Sequence, residues 1–328
     1  MKILSIAYHD EFPAWILPDW AVTELREKFP NFQVVKLTSK ERVIQELADT
    51  DILFAWAVRP QHIAAAPQLK WIHTGMAGLS WILIPEVVES NLIVSNSKGV
   101  HAITIAEHTL ALMLQFSRRL VRCAEDQKQS VWRRAEIFQS EHTFEELHGK
   151  TICVLGIGTL GTEIARRAHA FGMRVIGIRR NPDRMVDCVE RLHPPEMLDE
   201  ILPQVDYLVV AAPSTEETVG MIGKPQFARM KKSAFLVNIA RGEIVDQEAL
   251  MEALNTDQIA GAGLDVFVPD PLPDGHPLFA TKNLVITPHV SGISPMLWRR
   301  VMDLWVENIH RFLAGEPLIN QVDKRRGY

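Results

Sequence analysis

Cysteine is scarce: Cys123, Cys153 and Cys188 are the only three in 328 residues, and they stand far apart. Isolated thiols build no disulfide framework, and without a CxxC pair they form no zinc site; they fit a reducing, cytoplasmic compartment. The 12 histidines show no HExxH spacing, so no metal is expected. Long apolar runs are missing, so no membrane span is expected, and the apolar start over residues 1–12 is too short for a signal peptide. Basic excess is missing too. The formal net charge is −5, and the clusters Arg118-Arg119 and Lys324-Arg325-Arg326 are short, which argues against a nucleic-acid partner. No solenoid repeat or low-complexity tract is visible.

What is present is a rhythm. Apolar runs at 2–7, 32–37, 52–57, 71–74 and 92–95 read as strands, with helical stretches at 20–29, 40–48 and 81–90 between them. A long helix is expected over 101–122, where Ile103, Ala106, Leu110, Met113, Leu114 and Val121 recur at roughly helical spacing. The rhythm then restarts, with strands at 151–155, 174–178, 207–211, 234–238, 260–264 and 284–287. Helices are expected around 162–171, 195–202, 225–230, 247–254 and 296–313. Such alternation implies an α/β chain of two doubly wound domains, each a parallel sheet covered on both faces. The natural division is a split domain, 1–98 with 290–328, into which 99–289 is inserted, and the cleft between them is the expected substrate site.

Gly156-Ile157-Gly158-Thr159-Leu160-Gly161 follows the strand at 151–155 directly and leads into a helix. In that strand–turn–helix context GxGxxG is a dinucleotide fingerprint. Gly156 permits the tight turn, Gly158 lets backbone approach a pyrophosphate, and Gly161 lets helix and strand pack closely. The helix N-terminus adds unpaired N–H groups and a positive dipole.

Ligands of such sheets bind beyond the carboxyl ends of strands. Three residues stand there in the second domain: Arg241 in NIARG, Asp270 in DVFVPDPLP and His289 in TPHVSG. Taken singly each is an ordinary loop residue. Together they are what reduction of a 2-keto acid by a nicotinamide requires. An arginine binds the carboxylate, a histidine protonates the carbonyl oxygen, and an acid fixes the histidine's tautomer. The cofactor is then a matter of charge. The strand at 174–178 ends in Arg179-Arg180, where an NAD enzyme places an acid for the ribose hydroxyls. Arginine suits a 2′-phosphate, so NADP is favoured over NAD; the alternative is that both arginines face solvent.

The stretches LKWIHTGMAG, HGKTICVLGIGTLG, GMRVIGIRR, VAAPSTEETVGMI, LVNIARGEIVD, GAGLDVF and LVITPHVSG resemble, in order and spacing, the D-isomer-specific 2-hydroxyacid dehydrogenase family, over essentially the whole chain. The resemblance implies a flavodoxin-like substrate domain and a Rossmann cofactor domain. It implies hydride transfer between NAD(H) or NADP(H) and a small 2-keto or 2-hydroxy acid, in a homodimer. Its catalytic arginine falls on Arg241 and its acid–base histidine on His289. The family usually has glutamate where this chain has Asp270. An arm shorter by one methylene predicts a looser or water-bridged contact with His289 and a lower-pH optimum, unless local backbone shifts make the change silent.

The family's carboxylate cradle falls on Met76-Ala77-Gly78-Leu79, and Arg59 is a candidate for further positive charge. Along the cofactor the resemblance places Ala212, Pro213, Thr218 and Ala240, with Asp265 accepting from the nicotinamide carboxamide. Trp132 lies in the segment that forms the family's dimerisation arm, as an interface residue or one reaching the neighbouring pocket. A reductase of the glyoxylate and hydroxypyruvate kind is the leading reading. The alternatives are a 3-phosphoglycerate dehydrogenase relative, which the absence of an appended regulatory domain weakens, and a non-enzymatic dinucleotide-sensing scaffold. Formate dehydrogenase shares the fold but carries glutamine at the acid position.

Overall fold

The computed structural model describes residues 1–8, 12–139, 144–183 and 185–326. Two compact units emerge: Met1–Val100 with Ser294–Tyr328, and His101–Ile293.

In the first unit β1 (Lys2–Ser5), β2 (Gln33–Lys36), β3 (Ile52–Phe54), β4 (Trp71–Thr74) and β5 (Ile93–Asn96) form one parallel sheet in the order β2-β1-β3-β4-β5. Strands β1, β3 and β4 are buried throughout, and their side chains alternate between two layers. Ile3, Phe54 and Trp71 pack with the helices Asp19–Lys28 and Leu297–Ala314, while Leu4, Leu53 and Ile72 pack with Leu47, Ile82 and Val87. The helices expected at 40–48 and 81–90 shrink to Val43–Leu47 and Pro85–Val88, the second starting where proline presets the first turn. A short helix, Pro60–Ala64, was not anticipated.

In the second unit the strands are β6 (Thr151–Leu155), β7 (Arg174–Ile178), β8 (Arg191–His193), β9 (Tyr207–Val210), β10 (Phe235–Asn238), β11 (Gly261–Leu264) and β12 (Leu284–Ile286). They form a parallel sheet ordered β12-β11-β10-β9-β6-β7-β8, so the chain starts at an interior strand and winds outward in both directions. Helices Ala102–Ser117 and Thr159–Ala170 pack together on one face, over a core that includes Val154, Val209 and Val237. The single helix expected over 101–122 is corrected to two, Ala102–Ser117 and Leu120–Lys128. Arg119 turns left-handed at φ 52 between them, which ends the first helix. The helix expected from 162 begins at Thr159, so the last glycine of the fingerprint lies in its first turn. Among the described residues no helix is long and apolar enough to cross a membrane, and no cluster of His, Cys, Asp or Glu is placed to hold a metal.

Candidate active site

The glycine turn between β6 and its helix assigns a different task to each glycine. Gly156 sits at φ +105, and a Cβ there would lie 2.5 Å from the Ala212 nitrogen. A Cβ on Gly161 would lie 2.0 Å from the Gly156 carbonyl oxygen. A Cβ on Gly158 would meet nothing within 4 Å, so this position faces open space. Gly158 is also the N-cap and provides no side-chain acceptor. The N–H groups of Thr159, Leu160 and Gly161 therefore have no acceptor among the described residues. Three unpaired donors at the end of a 12-residue helix suit a phosphate.

Arg179 stands beside this turn, because the Ile178 carbonyl accepts from Gly156 N–H at 2.8 Å and from Ile157 N–H at 3.2 Å. Arg179 is half-buried, and its guanidinium forms no ion pair with a described residue. Arg180 is exposed and lies 3.8 Å from the Glu217 carboxylate. Ala212 is buried against Gly156, and Pro213 is exposed just beyond it. The Thr218 hydroxyl donates to the Pro213 carbonyl at 2.8 Å and accepts from Thr215 N–H at 2.8 Å, which closes its own loop.

At the carboxyl end of β10 the buried Asn238 side chain shapes the next turn. Its Nδ2 donates to the Arg241 carbonyl at 2.9 Å, and its Oδ1 accepts from Ala240 N–H at 3.1 Å. Ala240 is buried; Arg241 is exposed, with Nη1 donating to the Ala240 carbonyl at 2.7 Å. A Cβ on Gly242 would lie 2.3 Å from the Phe267 carbonyl carbon, so the Arg241 turn is pressed against the loop that carries Asp270.

That loop is pinned by Gln247. Its side-chain amide accepts from Val268 N–H at 2.8 Å and donates to the Val268 carbonyl at 2.5 Å. Two residues on, Asp270 Oδ2 lies 2.5 Å from His289 Nδ1. The expectation of a loose or water-bridged contact is corrected: the contact is direct. The pinned loop, together with the left-handed His289 backbone at φ 53, supplies the reach that aspartate lacks, which removes the stated reason for a lower-pH optimum. An ionised carboxylate only accepts, so Nδ1 carries the hydrogen and Nε2 is the nitrogen left to exchange a proton.

Asp265, wholly buried after β11, grips both sides of His289. Its Oδ1 accepts from the Thr287 hydroxyl at 2.6 Å and Val290 N–H at 3.0 Å, and its Oδ2 from Ser291 N–H at 3.0 Å. Oδ2 keeps a further lone pair with no donor among the described residues.

In the first unit the turn after β4 holds Met76, Ala77 and Gly78. Ser97 N–H donates to the Met76 carbonyl at 3.0 Å and Asn96 Nδ2 to the Ala77 carbonyl at 2.8 Å. With the carbonyls held, the N–H groups of Ala77, Gly78 and Leu79 have no acceptor among the described residues, an arrangement suited to an anion. Arg59 is exposed after β3, at the start of Pro60–Ala64.

The sequence thus pointed to the glycine turn, Arg241, Asp265, Asp270 and His289, which the second unit gathers on loops after its strands. It did not point to Asn238 or Gln247. Asn238 had a signal, a buried-strand terminus before a glycine turn; Gln247 reads as an ordinary helix-surface residue.

Residues 110–291 match the family model for the D-isomer specific 2-hydroxyacid dehydrogenase NAD-binding domain. The chain belongs to that family and is an NAD(P)-dependent oxidoreductase. It is 34% identical over 292 residues to a glyoxylate reductase of Korarchaeum cryptofilum, covering 86% of each chain. It is 35% identical over 316 residues to the glyoxylate/hydroxypyruvate reductase B of Pectobacterium carotovorum, covering 96% of this chain and 95% of the other. The solved structure of a D-isomer specific 2-hydroxyacid dehydrogenase from Xanthobacter autotrophicus, in complex with NADPH and MES, superposes with a TM-score of 0.83 at 29% identity and covers 99% of both chains.

Proposed function

We propose that the protein reduces a small 2-keto acid, of the glyoxylate or hydroxypyruvate kind, and prefers NADPH. The observation that carries the chemistry is the direct Asp270–His289 contact, which leaves Nε2 as the proton-exchanging atom. The bound dinucleotide supplies the hydride. Thr159, Leu160 and Gly161 N–H groups hold its pyrophosphate, and Arg179 pairs with the 2′-phosphate, with Arg180 adding charge. Ala212, Pro213, Thr218 and Ala240 line it, and Asp265 accepts from its carboxamide through the remaining lone pair. Gly156 and Gly158 keep the turn close and open.

Arg241 pairs with the substrate carboxylate through the guanidinium N–H groups that its bond to the Ala240 carbonyl leaves over. In the first unit, taken by itself, the turn Met76-Ala77-Gly78 offers N–H donors suited to a carboxylate, and Arg59 adds positive charge. His289 Nε2–H transfers its proton to the carbonyl oxygen as the adjacent carbon becomes tetrahedral, and Asp270 stabilises the imidazole in that orientation. In this reading 99–289 is the NAD(P)-binding domain, and 1–98 with 290–328 the substrate-binding domain. Trp132, 88% exposed, and Phe138, 77% exposed, support a homodimer, since apolar side chains so exposed call for a partner. The scarce cysteines support a cytoplasmic site of action.

The substrate is tested by kcat/KM with glyoxylate, hydroxypyruvate and its 3-phosphate ester. The small unphosphorylated acids are expected to lead by about ten-fold or more, the weight of one good contact. A lead for the phosphate ester would overturn the substrate assignment in favour of a 3-phosphoglycerate dehydrogenase relative.

A further inference from the structure

Thr287 takes part in more hydrogen bonds than one hydroxyl proton can supply. Its Oγ1 lies 2.6 Å from Asp265 Oδ1, 3.4 Å from the Leu264 carbonyl and 2.9 Å from His108 Nε2. The proton goes to the buried carboxylate, the nearer and charged acceptor. The bond to His108 then has to run the other way, from Nε2–H to the Thr287 oxygen. His108 lies in the helix Ala102–Ser117, is mostly buried, and its Nε2 is 3.8 Å from Asp265 Oδ1.

We infer that His108 is a positioning residue for the His289 turn, acting through Thr287 and Asp265. Its donated N–H occupies one lone pair of the Thr287 oxygen and so directs the hydroxyl proton at Asp265 rather than at the Leu264 carbonyl. Asp265, fixed in this way, holds Val290 N–H and Ser291 N–H. Thr287 precedes His289 and these two amides follow it, so the chain of bonds clamps both sides of a non-glycine residue at φ 53, a backbone state disfavoured for an L side chain. His108 touches neither substrate nor cofactor in this role; it sets where the Nε2 of His289 points. The inference rests on His289 as the proton donor for its effect on rate, and on geometry alone for its effect on the turn.

The test compares His108→Phe, which fills the site without a donor, with His108→Gln, whose amide restores an N–H near Nε2. Three quantities are read on the full chain: hydrogen exchange of the Val290 and Ser291 amides, the NADPH dissociation constant, and kcat with the best keto acid. His108→Phe is expected to speed exchange at both amides about ten-fold and to lower kcat about ten-fold, the worth of one hydrogen bond, with NADPH affinity within about two-fold. His108→Gln is expected to recover most of both losses. Unchanged exchange in His108→Phe, or no recovery with glutamine, overturns the inference. If exchange responds as expected but wild-type protein reduces no keto acid, the clamp stands and the assigned function fails. Should His108→Phe not fold, Thr287→Val judged against Thr287→Ser reads the same link.

Discussion

Asp270 shows how a backbone can compensate for a side chain. Aspartate reaches His289 Nδ1 directly, at 2.5 Å, because Gln247 pins Val268 two residues upstream and His289 occupies a left-handed conformation. The charge, rather than the arm length, is then what the pair contributes. Asp270→Asn keeps the shape and removes the charge that stabilises the imidazolium. It is expected to lower kcat about 10- to 100-fold, in the range of acid–base assistance, with NADPH affinity little changed; stopped-flow or steady-state reduction of the keto acid measures it. A loss under about two-fold contradicts the assignment. The placement of Arg241 and His289 on loops after strands was legible in the sequence, because each follows an apolar run; the roles proposed for them came from their combination and the family resemblance. Gln247, Asn238 and His108 were not: each is a polar residue whose partner is backbone or a side chain far away in sequence, and no local pattern distinguishes it from a surface residue.

Elements were legible where one apolar run made one strand. Strands β4 and β6 stand at the expected residues because Trp71-Ile72 and Ile152–Leu155 are buried on both faces. Strand β8 escaped notice because Arg191-Leu192-His193 is short, polar and at a sheet edge, where one side needs no apolar cover. The break at Arg119 escaped as well, since it uses neither glycine nor proline; Arg119 instead places its guanidinium over the Phe116 ring, 5.4 Å from its centre. Between elements, the contact of Gly242 with Phe267 joins the Arg241 turn to the Asp270 loop. Gly242→Ala forces one of them to move. It is expected to cost about 1–3 kcal/mol of stability and, by misplacing two functional side chains, to lower kcat about ten-fold or more. NADPH binding at the separate glycine turn should change far less; thermal midpoint, kcat and NADPH titration together check it.

At the scale of the molecule, one buried histidine ties the stability of the first unit to pH. His73 is wholly buried on β4, with Nδ1 2.7 Å from Ser95 Oγ and its ring stacked on Trp305. Burial lowers its pKa to about 3. The unfolded histidine takes up a proton below about 6.5 and the folded one does not, so stability falls as pH drops through that window, by about 1.4 kcal/mol per pH unit. His73→Gln keeps a polar side chain and removes the titration. Its stability is expected to fall less steeply between about pH 6 and pH 4 than that of wild type. Seven of the eight tryptophans lie in this unit, so urea unfolding followed by tryptophan fluorescence reports it. Parallel slopes would show that His73 does not titrate this way. The two-unit α/β organisation was legible from the repeated strand–helix rhythm and the central glycine turn.

The pairing of Arg179 with the cofactor is tested by kcat/KM for keto acid reduction with NADPH and NADH side by side, for wild type and for Arg179→Glu. With the 2′-phosphate paired to Arg179, wild type is expected to favour NADPH by about ten-fold or more, and charge reversal to abolish or invert that ratio. Preference of the wild type for NADH, or an equal loss with both cofactors in Arg179→Glu, would contradict it.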